Sequence, residues 1–123
     1  MDGQKKILIV DDEKPMARAL QLKLDHNGFE TKVVYQGTDA LQVLEKEKFD
    51  LVVLDLMMPN LDGFGVLKEL QKKGSKVPVV VTSNLSQSED EKRAVALGAG
   101  HYFVKSNTPL SKIVDYVKKA LKV

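Results

Sequence analysis

Seven side chains able to contact cations or phosphoryl groups follow short apolar runs of this sequence. They are carboxylates, hydroxyls and one ammonium, namely Asp11, Asp12, Glu13, Asp55, Thr82, Ser83 and Lys105. If the apolar runs are neighbouring parallel strands, these groups converge on one edge of a sheet. Oxygen donors suit a hard divalent cation, and Mg²⁺ fits best because it takes one or two carboxylates with waters and a phosphate oxygen. Crowded carboxylates repel one another, so without a ligand the site is expected to hold raised pKa values or a cation.

The apolar runs are predicted to be strands. Residues 7–10, 51–54, 79–81 and 102–104 are rich in β-branched or aromatic side chains without polar alternation, which is typical of strands buried on both faces. Residues 31–35 alternate more and predict a strand at the edge of the sheet.

Five stretches with helical spacing alternate with these strands. Their apolar faces are Met16, Leu20 and Leu24; Ala40, Leu41 and Leu44; Phe64, Leu67 and Leu70; Ala94, Val95 and Leu97; and Leu110, Ile113, Val114, Val117 and Leu121. Helix ends are predicted at Asn27-Gly28, near Gly74 and at Gly98.

Two helix starts carry capping signals. The fourth helix is expected to open with a capping box, either Ser86 with Glu89 or Ser88 with Glu91. The fifth is expected to have Thr108 as its N-cap and Pro109 as its first helical residue.

The order strand then helix, five times over, predicts an α/β fold with a doubly wound five-stranded parallel sheet flanked by five helices. In such sheets ligands bind beyond the carboxyl ends of the strands, where the candidate side chains lie. A length of 123 residues suits one domain, so residues 1–123 are predicted to form a single unit. The last helix reaches almost to residue 123, and no further domain is expected within the chain.

The composition excludes several classes of protein. The chain has no cysteine, which rules out disulfides and thiolate metal sites and fits a reducing compartment. No apolar run is long enough for a membrane span or a signal peptide, so we expect a cytoplasmic protein without membrane contact. The net charge is +2, from 19 basic and 17 acidic residues mixed along the chain, which predicts no direct contact with nucleic acid.

Each candidate residue has a plainer explanation when taken alone. An acidic residue after the first strand could simply favour the following helix, Thr82 could bond to the backbone, and Lys105 could be a solvated surface charge. Asp55 is harder to explain in this way, because residues 56–59 do not resemble a helix start. The coincidence of all these groups at predicted strand ends favours a functional site.

Four ordered blocks resemble the signature of two-component response-regulator receiver domains. They are ILIVDDE at 7–13, DLMMPNLDG at 55–63, TS at 82–83 and LGAGHYFVK at 97–105. Each block is weak singly, but the ordered set is specific, and the resemblance runs from about residue 6 to residue 121. It implies the flavodoxin-like strand order 2-1-3-4-5 of the chemotaxis-regulator superfamily.

The resemblance implies a phosphoacceptor site. Asp55 would take a phosphoryl group, Lys105 would pair with the phosphoryl oxygens, and Thr82 would donate its hydroxyl to one of them. Backbone N–H groups of Met57 and Ser83 would complete the cradle. With the ordinary carboxyl pKa, Asp55 is expected to be ionised near neutral pH, so the transfer needs no general base.

The resemblance also implies a Mg²⁺ cofactor. Asp12, Asp55 and the backbone carbonyl of Met57 would ligate the ion directly, and Asp11 would act through bound water.

A conformational switch is implied as well. Thr82 would move toward the phosphoryl group and Tyr102 would turn inward behind it, changing the surface formed by residues 87–119. Tyr102 could equally be an ordinary half-buried strand aromatic, and the residues alone leave both readings open.

The implied partners are a sensor histidine kinase or a histidine phosphotransfer protein, and a downstream output protein or domain. Homodimerisation on phosphorylation is a further expectation of the resemblance. The protein would be a signalling phosphoacceptor rather than an enzyme, with only self-phosphorylation and autodephosphorylation chemistry. Whether it acts alone or within a larger regulator or hybrid kinase stays open.

Several positions depart from the family pattern. Lys105 is followed by Ser106 where a proline in a cis peptide is common, and a cis bond is not to be assumed there because it would cost about 2.5–4 kcal/mol. Ser83 replaces a frequent alanine. Met57 and Asn84 occupy positions where family members tune the lifetime of the phosphoryl group through access of water. An apolar Met57 suggests shielding from water, whereas Asn84 could orient a water molecule, so the lifetime is not predicted.

Three other functions compete with this interpretation. A flavodoxin-like cofactor-binding domain would want a Ser/Thr/Gly-rich loop after the first strand, where the chain has Asp11-Asp12-Glu13. A phosphohydrolase with an aspartyl intermediate would want an Asp-x-Asp block, which Asp55-Leu56-Met57 lacks. A receiver-like interaction module without phosphorylation is disfavoured by the complete set of acidic, hydroxyl and lysine residues.

Overall fold

The computed structural model describes residues 4–85 and 87–123, in which strands and helices alternate. The strands are β1 (Lys6–Val10), β2 (Glu30–Val34), β3 (Leu51–Leu54), β4 (Val79–Ser83) and β5 (His101–Val104). The helices are α1 (Lys14–His26), α2 (Gly37–Lys46), α3 (Gly63–Lys72), α4 (Ser88–Ala96) and α5 (Leu110–Leu121). Within these two ranges, no helix combines the length and the apolar character needed to cross a membrane.

The five strands form one parallel sheet in the order β2-β1-β3-β4-β5. Val10 is in register with Val34 on one side and Leu54 on the other, and Leu54 is in register with Val81. Because the strands run the same way and end at similar heights, the residues that follow β1, β3, β4 and β5 emerge at one edge. The predicted fold class and strand order are confirmed.

The sheet has an apolar core on each face because successive side chains of a strand point to opposite sides. On β1, Leu8 and Val10 belong to the core under α2, α3 and α4, while Ile7 and Ile9 belong to the core under α1 and α5. Burial on both faces is confirmed for β1, β3 and β4. The edge position of β2 is also confirmed.

The prediction for the last strand is wrong in one respect. Residues 102–104 of β5 are only half-buried and His101 is exposed. The physical reason is topological: β5 is the second edge of the sheet, so a partner strand covers it on one side only. An apolar run of this length does not distinguish a central strand from an edge strand.

The predicted helix ends are confirmed. Gly28, Gly74 and Gly98 follow α1, α3 and α4 with φ angles of 90°, 70° and 107°, the left-handed conformation that ends a helix most readily at glycine. One apolar face differs from the prediction, because Val95 on α4 is 53% exposed while its neighbour Ala94 is buried.

The two predicted N-caps are wrong where the structure describes them. Gln87 is the N-cap of α4 and its side chain makes no capping bond, so Ser88 is the first helical residue and not a cap. Ser86, the other candidate, lies outside the described residues. Pro109 is the N-cap of α5, and the Thr108 hydroxyl donates instead to the carbonyl of Val104 at 2.8 Å.

The segment after β5 places Lys105 at the edge of the sheet. Lys105–Asn107 form one turn of 3₁₀-helix, and the peptide bond between Lys105 and Ser106 is trans. The bond from the Thr108 hydroxyl to Val104 closes this turn. The departure from the common lysine–proline pair therefore leaves Lys105 in a short, internally bonded turn.

Candidate functional site

Four strands deliver the predicted polar residues to a common edge, where all but Asp12 and Glu13 are buried. Asp55 follows β3, and its backbone N–H donates to the Val10 carbonyl at 2.9 Å, which fixes it beside the end of β1. Asp11, Asp55, Thr82 and Lys105 are between 3% and 7% exposed. Buried ionisable groups of this kind are rare unless paired, so their convergence requires a compensating partner or ligand.

Three carboxylates form a cluster that suits a divalent cation. Asp11, Asp12 and Asp55 each offer an oxygen, and these oxygens lie within 4.8 Å of one another. The backbone N–H of Met57 donates to Asp55 Oδ1 at 3.2 Å. An all-oxygen set with several negative charges is the donor chemistry that Mg²⁺ prefers, so the residues fit the predicted cofactor.

A cleft of about 240 Å³ opens from this cluster to the surface. It is lined by Asp12, Glu13, Asp55, Met57 and Asn84. Met57 is 54% exposed, although methionine is mostly found inside proteins. The cleft connects Asp55 with solvent, and its lining includes one apolar side chain, Met57, and one amide side chain, Asn84.

Lys105 neutralises part of the acidic cluster. Its Nζ lies 2.7 Å from Asp11 Oδ2, 2.8 Å from Glu13 Oε1 and 3.5 Å from Asp55 Oδ2. Burial lowers the pKa of Lys105, but the bonds to Asp11 and Glu13 and the field of Asp55 outweigh it, so that the pKa lies above its usual value. Lys105 is therefore a permanent positive charge beside Asp55.

Asp55 is held in an environment that disfavours its charge. Burial raises the pKa of Asp55 to about 7, with a further increase from Asp11, against the opposing effects of Lys105 and the Met57 N–H. The expected raised pKa is confirmed. The expectation that Asp55 is fully ionised at neutral pH is wrong for the metal-free site, because a typical carboxyl pKa does not account for burial.

Thr82, Ser83 and Tyr102 connect the site to the segment after β4. Thr82 is one position beyond the Leu54–Val81 register pair, which places it next to Asp55. The Ser83 hydroxyl accepts from the Leu85 N–H at 3.2 Å, and the Tyr102 hydroxyl donates to the Leu85 carbonyl at 2.7 Å. Tyr102 is thus tied to the β4–α4 segment rather than free in solvent.

Sequence reasoning underrated one residue of the site, Glu13. The sequence marks it only as one of three acidic residues after β1, whereas in the structure its carboxylate accepts a hydrogen bond from Lys105 Nζ at 2.8 Å. Spacing carries no signal for a contact between residues 13 and 105. The only hint is the residue type, since glutamate is a poor choice for the N-cap position that Glu13 occupies in α1.

Fold and site together define a flavodoxin-like domain with an acidic, lysine-containing pocket at the carboxyl edge of its sheet. The chain belongs to the response regulator receiver domain family, whose model matches residues 7–118. Receiver domains are phosphoaccepting signalling proteins rather than enzymes with a separate substrate. They bind Mg²⁺ at an acidic pocket and pair with histidine kinases and output domains.

Curated relatives and solved structures support this assignment. The chain is 42% identical over 106 residues to a probable transcriptional regulator, ycf27, of Porphyridium aerugineum, covering 86% of this chain and 44% of that protein. It is 38% identical over 117 residues to the regulatory protein VanRc of Enterococcus gallinarum, covering 95% and 50%. The chain thus spans about half the length of the curated relatives it matches.

Among solved structures, the receiver domain of the Francisella response regulator 1452 superimposes with a TM-score of 0.92 at 31% identity, covering 97% of this chain and 98% of that one. The BeF3-activated receiver domain of RstA from Klebsiella pneumoniae gives a TM-score of 0.89 at 26% identity, covering 97% and 100%.

Proposed function

We propose that this protein accepts a phosphoryl group on Asp55 from the phosphohistidine of a sensor kinase or a histidine phosphotransfer protein. The observation that carries the proposal is the position of Asp55, buried at the base of an open cleft between two further carboxylates and a buried lysine. A carboxylate is a competent covalent acceptor, and Lys105 supplies a positive charge 3.5 Å from it.

In the proposed reaction a carboxylate oxygen of Asp55 forms a bond to phosphorus while the bond from phosphorus to the donor imidazole nitrogen breaks. The bonding electrons return to that nitrogen, which is then protonated by water. No oxidation or reduction takes place. The chain supplies positioning and electrostatic stabilisation rather than proton transfer, as is general for phosphoryl transfer.

Asp12 and Asp55, with the Met57 carbonyl, would hold Mg²⁺, and Asp11 would contact it through water. When bound, the ion supplies positive charge that favours ionised Asp55 and offsets the charge of the phosphoryl oxygens. Asp11 has a second task, since it already accepts from the Glu13 N–H at 2.9 Å and pairs with Lys105.

Lys105 would pair with a phosphoryl oxygen, and the Thr82 hydroxyl would donate to another. The 3.5 Å distance from Lys105 Nζ to Asp55 Oδ2 supports the first role, and the burial of Thr82 beside Asp55 supports the second. Backbone N–H groups of Met57 and Ser83 would add donors.

The proposed output is a shift of residues 87–119, which include α4, β5 and most of α5. Movement of Thr82 toward the phosphoryl group would displace the segment that follows β4. Tyr102 is bonded to this segment through the Leu85 carbonyl and would therefore move with it. Thr82 and Tyr102 would thus bias a two-state surface that an output protein or domain reads. Homodimerisation through this surface on phosphorylation belongs to the same proposal.

Residues 1–123 are taken as one receiver domain that acts in the cytoplasm and makes no direct contact with nucleic acid or membrane. Its own chemistry is limited to self-phosphorylation and autodephosphorylation.

Intact mass after incubation with acetyl phosphate and Mg²⁺ tests the proposal. We expect a gain of one phosphoryl group on the wild-type protein, lost on addition of a chelator and absent from Asp55→Asn. Labelling of Asp55→Asn at an acid-stable residue, to the same extent as wild type, would refute the assignment. If acetyl phosphate gives no label, a phosphohistidine donor is tested, and no label there would favour an interaction module.

Lys105→Ala is expected to slow labelling of Asp55 by about tenfold, corresponding to roughly 1.4 kcal/mol of lost transition-state stabilisation. Mg²⁺ affinity should change less, because Lys105 does not offer the ion a ligand. Labelling rates and Mg²⁺ titrations of the same samples check this. A variant with normal labelling but impaired Mg²⁺ binding would contradict the phosphate role of Lys105.

A further inference from the structure

Glu13 occupies the N-cap position of α1 without capping the helix. Its backbone is extended, with φ −84° and ψ 93°, and its side chain makes no bond to the first helical N–H groups. An aspartate, asparagine or serine there would normally accept from one of them and stabilise the helix by about 1 kcal/mol. The Glu13 carboxylate instead reaches Lys105 Nζ at 2.8 Å, 92 residues away in sequence.

The three carboxylates around Lys105 are not equivalent. Asp11 and Glu13 lie at hydrogen-bond distance, 2.7 and 2.8 Å, while Asp55 lies at 3.5 Å. The Asp11 and Asp55 side chains are 6% and 4% exposed, but the Glu13 side chain is 53% exposed. In the unphosphorylated protein the ammonium is therefore bonded more closely to Asp11 and Glu13 than to the residue that would be phosphorylated.

A phosphoryl group on Asp55 would attract the Lys105 ammonium, and as Nζ moves toward the phosphoryl oxygens at least one of its two short contacts, at 2.7 Å to Asp11 or 2.8 Å to Glu13, lengthens. Releasing Asp11 would leave a buried carboxylate without its charge partner, which is strongly unfavourable. Releasing Glu13 exposes its carboxylate to water that already reaches it, and a half-exposed ion pair contributes little stability. The contact between Lys105 and Glu13 is thus the one that can break at the lower free-energy cost.

We propose that Glu13 is a positioning residue that holds Lys105 away from Asp55 in the unphosphorylated state and releases it to the phosphoryl group. This inference rests on the proposed function. Glu13 competes with the phosphoryl oxygens for the same ammonium, and it therefore lowers the rate of phosphorylation of Asp55. It also keeps Lys105 ordered at the site until the donor arrives.

Glu13→Gln removes the competing charge and is expected to raise the acetyl phosphate labelling rate at Asp55 by about two- to fivefold, the range that half-exposed ion pairs span. The dissociation constant for beryllofluoride, a mimic of the phosphoryl group, should fall by a similar factor. Both are measured in Mg²⁺, with calorimetry for beryllofluoride.

Two variants separate the contact from a general effect of charge. Glu13→Asp keeps the charge but is one methylene shorter, so it is expected to behave like Glu13→Gln. Glu30→Gln makes the same charge change at the amino end of β2, at the opposite edge of the sheet, and is expected to match wild type. In a Lys105→Ala background, Glu13→Gln should have no further effect.

The contact between Glu13 and Lys105 can also be measured directly, in the absence of Mg²⁺ and of a phosphoryl donor. In ¹⁵N-lysine spectra of the metal-free protein, the Lys105 ammonium should exchange its protons slowly in wild type and faster in Glu13→Gln. Equal exchange in both proteins would overturn the inference, as would labelling in Glu13→Gln that is unchanged or slower. Absence of label on wild-type Asp55 with both acetyl phosphate and a phosphohistidine donor would instead overturn the proposed function, and the exchange rates distinguish these two failures.

Discussion

Asp55→Asn is expected to raise the free energy of unfolding of the metal-free protein at pH 8 by roughly 2–4 kcal/mol, although it removes the proposed phosphoacceptor. The folded-state pKa of Asp55 is raised from 3.8 to about 7, chiefly by burial. The folded protein therefore binds this proton more tightly than the unfolded chain does. The stabilising effect of that proton is complete below pH 3.8 and is lost as the pH rises through about 7. Asparagine carries no charge at any of these pH values and avoids the loss.

Urea unfolding at pH 5 and pH 8 in a chelating buffer measures this effect. The stability advantage of Asp55→Asn should be larger at pH 8 than at pH 5, and Mg²⁺ should reduce it by stabilising wild type selectively. Asp115→Asn, which removes an exposed carboxylate on α5, is the matched control and should change stability by less than about 0.5 kcal/mol at either pH. An Asp55→Asn protein no more stable than wild type at pH 8 would show that the buried charge is compensated in some other way.

Gly63→Ala is expected to destabilise the protein by about 3 kcal/mol, because the first residue of α3 packs directly on the backbone of the site. A Cβ at Gly63 would collide with the Asp55 carbonyl oxygen and would lie 2.7 Å from Leu56 Cα. The Gly63 N–H also donates to the Leu56 carbonyl at 3.0 Å, so the two segments cannot separate without losing a bond. The backbone carrying Asp55 would have to move.

Gly65→Ala provides a control two residues further along the same helix. Its added Cβ would meet the Leu61 side chain, a flexible group that can turn away, and alanine favours the helix by roughly 0.5–1 kcal/mol over glycine. We expect its stability to stay within about 1 kcal/mol of wild type. Chemical denaturation of the three proteins gives the comparison, and equal losses for both variants would place the effect in the helix rather than in the contact with Asp55.

The sequence predicts most of the sheet well because four of the five strands contain a short, uninterrupted apolar run. Residues 51–54 are apolar throughout, and a strand buried on both faces is the arrangement that such a run favours. Glycine ends helices for a local reason, because it adopts the left-handed conformation readily. The helix ends at Gly28 and Gly98 can therefore also be predicted from the sequence. These predictions depend only on residues near one another in sequence.

The errors arise where distant contacts outweigh local preference. Thr108 is a good N-cap by type, but the Val104 carbonyl lies within reach and takes its hydroxyl instead. Val95 belongs to an apolar pattern, yet the orientation of α4 exposes it. The contact between Glu13 and Lys105 and the raised pKa of Asp55 both depend on burial and on distances that the order of residues does not carry.

The two edge strands have a consequence for self-association. An open edge exposes unpaired backbone groups to which a strand from another molecule can add. On β2 this hazard is countered by charge, since Glu30 and Lys32 are both exposed. The four-residue β5 has no Asp, Glu, Lys or Arg within it, so its short length and its exposed first residue, His101, are its main protection. Aggregation at high concentration is therefore expected to begin at β5 rather than at β2.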